Sequence, residues 1–90
     1  MGNANKIVLS SIALDLKRVA IGYNRGSVKM AKIFLEKAIL RKKDVDSSQI
    51  APYLIKILTN VDKLKVKDNY QIAAEDALLY SILLQNAAVS

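Results

Sequence analysis

Leu9, Ile12, Leu16, Val19 and Tyr23 follow one another at intervals of three and four residues. That spacing is one stripe of an α-helix, and it predicts a first helix over roughly residues 5–21. Ile7, Leu14 and Ile21, seven apart, widen the stripe, while Asp15 and Arg18 fall on the polar side as a weak i,i+3 pair. A second segment, about 27–43, carries Ala31, Phe34, Leu35 and Ala38 on one face, broadened by Met30, Ile33 and Leu40, with Lys29, Lys32, Glu36 and Lys43 opposite. Arg41, Lys42 and Lys43 end it, where cations oppose the negative end of the helix dipole. The run DVDSSQ, 44–49, reads as loop and cap. Pro52 fits only the first turn of a helix, so a third helix is expected to begin near 48–50, with Ile50, Leu54, Ile57, Val61 and Leu64 on its apolar face. Asp68 with Gln71 resembles a capping box and opens a fourth helix over about 69–88. Leu16, Ile57 and Leu83 are the expected centres of the core. No sustained alternation of period two competes.

The fold class is therefore all-α: a small up-and-down bundle of about four helices, one domain over residues 1–90. One junction is ambiguous. Residues 22–27 read GYNRGS, and Gly22, Asn24, Gly26 and Ser27 would together cost about 2–3 kcal/mol inside a helix relative to alanine. The heptad nevertheless continues in register through Tyr23, Gly26, Met30, Ile33, Lys37 and Leu40, which would suit a single helix of nearly forty residues. A break is the preferred reading, because glycine or asparagine suits the end of one helix and serine the start of the next. The stretch 20–39, AIGYNRGSVKMAKIFLEKAI, also resembles the helix-turn-helix hairpin of tetratricopeptide-type repeats, with small residues at Gly26, Ala31 and Ala38. The resemblance covers twenty residues and occurs once, whereas such arrays need several copies, so it implies a hairpin and no more.

Composition removes most chemistry. There is no cysteine and no histidine, which eliminates thiolate ligands, disulfides, the usual general base near neutral pH and the commonest metal ligand. Ser10 and Ser11 have no base beside them, and Glu75 and Asp76, adjacent in sequence, would point about 100° apart on a helix and share no ligand well. No nucleophile, base and oxyanion donor can be assembled, so the chain is not expected to be an enzyme, nor to hold a metal or cofactor. The one candidate anion contact is Arg25, Ser27 and Lys29 at the start of the second helix. Its spacing matches neither phosphate-binding fingerprint, and no strand precedes it.

Targeting signals are equally weak. MGNANK has Lys6 where a myristoylation signal needs Ser or Thr. The apolar run 7–14 is broken by Asp15, Lys17 and Arg18, and the uncharged tail 77–90 is too short to span a bilayer. A cytoplasmic protein without a membrane partner is the expectation.

Two features give the function classes that remain. Residues 1–43 hold ten Lys and Arg against two acids, whereas residues 44–90 hold four against six. The positive half could meet an acidic protein or nucleic-acid phosphates. Tyr23 and Phe34, however, lie on packing stripes rather than free for base stacking. The last helix has few polar residues, namely Glu75, Asp76, Ser81, Gln85 and Asn86 between Ile72 and Val89. Such a helix is normally covered on more than one side. The leading expectation is a helical interaction or scaffold module that forms a homo-oligomer, a dimer foremost, through Ile72, Leu78, Leu79 and Ile82. The alternative is a nucleic-acid-associated protein that uses the basic half.

Overall fold

The computed structural model describes all 90 residues, and every regular element in it is helical. The α-helices are α1 (Asn3–Asn24), α2 (Val28–Arg41), α3 (Pro52–Lys63) and α4 (Tyr70–Val89). Short 3-10 turns occupy Lys42–Asp44, Ser47–Gln49 and Leu64–Val66. The bundle is elongated, with extents of 37 × 19 × 17 Å, and its long dimension is close to the length of the 22-residue α1 at about 1.5 Å per residue.

The break in GYNRGS is real. Helix α1 ends at Asn24, Gly26 takes φ +77°, and Ser27 is the N-cap residue of α2. Gly26 is the only residue with positive φ, a conformation that costs glycine little. Gly22 has a different task. A Cβ there would lie 2.8 Å from the backbone nitrogen of Ala31, so its missing side chain is what lets α2 fold back against α1.

Between α2 and α3 the chain differs from expectation. Ser47–Gln49 is a separate 3-10 turn capped by Asp46, whose carboxylate accepts from the Ser48 N–H at 3.1 Å. The helix itself starts at Pro52, not near 48–50. Proline in the first helical position lacks only an N–H that would have had no helical partner. The linker is tied to α1 by Asn5, buried at 3% exposure, which donates to the Asp46 carbonyl at 3.0 Å and accepts from the Asp46 N–H at 2.9 Å.

Helix α4 is capped by Asn69, not Asp68: the Asn69 side chain accepts from the Ile72 N–H at 3.1 Å. It then runs antiparallel to α1. Tyr70 stacks on Tyr23 at one end (ring centroids 5.0 Å apart), the Ser81 hydroxyl donates to the Ala13 carbonyl midway (2.7 Å), and the Lys6 ammonium donates to the Ser90 carbonyl at the other end (3.2 Å).

The seam between these two helices is built from small residues. The face of α4 that is buried consists of Ala73, Ala74, Ala77, Ser81, Ala87 and Ala88, with Leu84 the one large side chain. Helix axes approach more closely as the side chains between them shrink. Helix α3 does the opposite and reaches the core through Leu54, Ile57, Leu58 and Val61. Leu16 and Ile57 sit in the core as expected, but Leu83 is only half-buried and Leu84, fully buried, takes its place.

Asp15 also differs from expectation. It lies at 2% exposure rather than on a wet face, and its carboxylate receives the Arg41 guanidinium at 2.7 Å. Arg18, its expected partner, instead lies over the Phe34 ring, 5.2 Å from the centroid. Ile7, Leu14, Ile33 and Leu40, assigned to widened apolar faces, are all exposed. No helix is long and apolar enough to cross a membrane.

Candidate interaction surface

The burial of α4 is inverted by residue size. Its alanines face inward, while Ile72, Leu78, Leu79 and Ile82 are 44%, 43%, 51% and 49% exposed. Ile72, Glu75, Leu79, Ile82 and Asn86 succeed one another at intervals of three, four, three and four residues, the spacing of one ridge along a helix. Leu78 and Gln85 flank that ridge on the side toward α1. The four residues expected at an interface therefore all lie on one outward surface.

Beside the ridge, two adjoining hollows of about 280 and 250 Å³ form a groove between α1 and α4. Ala13 and Ser81 contribute to its floor because both are small, and the Ser81 hydroxyl is already satisfied by the Ala13 carbonyl. Leu14 and Lys17 of α1 form one wall; Leu78, Ile82 and Gln85 of α4 form the other. Lys17 is the only ionised side chain in the groove, and it makes no ion pair within the chain. Sequence patterning placed Leu14 on the core stripe and gave Lys17 no role. The signal it lacked is which flank of α1 the alanines of α4 would cover.

The electrostatics are uneven in a second way. Four acids are matched within the chain: Asp15 by Arg41, Asp62 by Lys42, Glu36 by Lys65 and Asp76 by Lys67. Glu75 is exposed and unmatched. Helix α4 carries no Lys or Arg at all, so Glu75 is the sole charge on its outward ridge. Most unpaired cations belong to residues 1–43; two of them, Arg18 and Lys37, lie over Phe34, at 5.2 and 5.0 Å from the ring centroid.

The remaining candidates are less organised. Arg25 is the residue closing α1 and donates its N–H to the Ile21 carbonyl, while the Ser27 N–H is taken by the Gly22 carbonyl at 2.8 Å and is not open to an anion. Lys29 is exposed on the first turn of α2. A smaller cavity of about 150 Å³ lies against Tyr23, Lys32, Leu35, Glu36 and Lys65, with the Lys65–Glu36 ion pair, 3.0 Å, across it. Burial, and then the neighbouring Tyr70, push the Tyr23 phenol above its ordinary value of 10.0; burial, and then Asp76, do the same for Tyr80. Both phenols therefore stay neutral well into alkaline solution. No group of three or more Asp and Glu side chains is placed to hold a metal ion.

Comparison with family models, with characterised proteins and with solved structures finds no match to this chain.

Proposed function

We propose that this protein is a small helical interaction module that self-associates, as a dimer, through the outward surface of α4. The observation that carries the reading is the inverted burial of that helix: alanines are spent on the core while Ile72, Leu78, Leu79 and Ile82 are left outside. Each large apolar side chain covered by a partner contributes about 1.5–3 kcal/mol relative to exposure. Contiguous apolar patches of this kind on small proteins commonly mark interfaces, and twofold pairing is the commonest closed arrangement. Replacing Leu79 or Ile82 separately with Lys tests it. Each variant is expected to lose self-association with unchanged helix content; variants of wild-type mass in solution would refute it.

The basic half supports a second reading, contact with nucleic-acid phosphates, through cations such as Lys17, Arg25, Lys29 and Lys32 that have no acid beside them. It is the weaker one, since Phe34 is already occupied by Arg18 and Lys37 and no aromatic platform accompanies the charge. Copurifying nucleic acid that dissociates with added salt would favour it.

A further inference from the structure

Resting on the self-association just proposed, the geometry assigns the occupant of the α1–α4 groove. We propose that it takes α4 of a second copy, antiparallel about a twofold axis, with Lys17 of each copy bound to Glu75 of the other.

Three observations converge on that occupant. The groove is concave and runs between two helices, a shape that receives a row of side chains rather than a flat surface. Its one charge is a lysine without a partner, so the fitting helix carries an apolar row and a carboxylate. The outward ridge of α4 is such a helix: Ile72, Leu79 and Ile82 with Glu75, and no cation along its length. The exposed apolar face of α2 fits less well. Around Ile33 and Leu40 on α2, Lys29, Lys32 and Lys37 would meet Lys17 as like charges.

The register follows from the same pair. In α1 and α4, running antiparallel, Ala13 lies level with Ser81 and Tyr23 with Tyr70, which sets Lys17 near the level of Asp76 and Ala77. Side chains on a helix lean toward its N-terminus, so the Lys17 ammonium leans toward Ser81 and Ile82, which line the groove with it. Placing the twofold axis level with Ala77 sets Ile72 opposite Ile82 of the second copy and Leu79 opposite its Glu75. That Glu75 then lies level with the Lys17 ammonium. The pairing also resolves a difficulty. Glu75 sits on the ridge that the dimer covers, and a carboxylate there needs a cation once water is excluded. Lys17 of the second copy supplies it.

The test is a charge swap read as the dimer dissociation constant, by sedimentation equilibrium. Lys17 and Glu75 are both exposed and touch no core residue's charge, so helix content measured by circular dichroism should match wild type for every variant. Lys17→Glu and Glu75→Lys are each expected to weaken the dimer about tenfold or more, because each places two like-charged pairs across the axis. The double variant should regain most of the loss, and added salt should weaken wild type more than a Lys17→Gln, Glu75→Gln dimer. Single variants of wild-type affinity, or a double variant no tighter than the singles, would overturn this pairing while leaving self-association through α4 in place. A wild-type monomer would overturn both.

Discussion

Ser81 of α4 donates a 2.7 Å hydrogen bond to the main-chain carbonyl of Ala13 in α1, across sixty-eight residues of sequence. A side-chain hydroxyl reaches a helix backbone only where the two helices run close, and the alanines on either side of Ser81 permit that approach. Ala77, one turn earlier, is completely buried. Ala77→Leu should therefore destabilise the fold by about 1–3 kcal/mol or more through overpacking, despite leucine's good helix propensity. Ser81→Ala should cost only about 1 kcal/mol, the net worth of one hydrogen bond. Thermal or urea unfolding of the two variants checks the order, and an Ala77→Leu protein as stable as wild type would contradict the close seam.

Neighbouring leucines on α4 should differ sharply. Leu84 is fully buried and Leu83 only partly so. Leu84→Ala is expected to cost about 2–4 kcal/mol, in the range expected for Leu16→Ala and Ile57→Ala, and Leu83→Ala clearly less. Urea midpoints measured on the pair decide it; equal losses would mean that α4 is rotated about its axis from the position described.

Those leucines also mark how far the sequence could be read. Helices α1 and α3 have one apolar stripe each, so the three-four spacing of Leu9, Ile12, Leu16 and Val19, or of Leu54, Ile57 and Val61, names the buried side directly. Helix α4 is apolar nearly all round, and a rule that puts large apolar residues inside selects the wrong face. Only the position of α1 settles that the alanine face is the buried one. The outward residues Ile72, Leu78, Leu79 and Ile82 are legible only through the scarcity of polar positions on α4, which leaves a broader apolar arc than one packed face uses. Asp15 was illegible for another reason: its partner Arg41 lies on α2 and is brought beside it by the turn at Gly22 and Gly26. Local spacing offered Arg18 instead. The Lys17 side of the groove needed both helices in place before it could be seen.

Alkaline pH offers a separate check on the packing of the tyrosines. The folded protein holds the Tyr23 and Tyr80 phenols above 10.0, chiefly by burial. A group raised in the folded state favours folding below its unfolded value, and that contribution fades as pH climbs through the folded one. Stability should therefore fall as pH rises past about 10, with phenolate absorbance in the folded protein lagging that of the urea-unfolded chain. Tyr23→Phe should remove part of the lag. Coincident titration curves for folded and unfolded chains would show that these rings are not buried as described.

The most direct measurement is the mass of the wild-type protein in solution, followed by sedimentation equilibrium from low to high micromolar concentration. The outward ridge of α4 predicts a reversible approach to twice the chain mass of 9.9 kDa, with no change in helix content along the way. A particle that stays at 9.9 kDa throughout the high-micromolar range would contradict the account, leaving Ile72, Leu78, Leu79 and Ile82 exposed to water on a stable monomer.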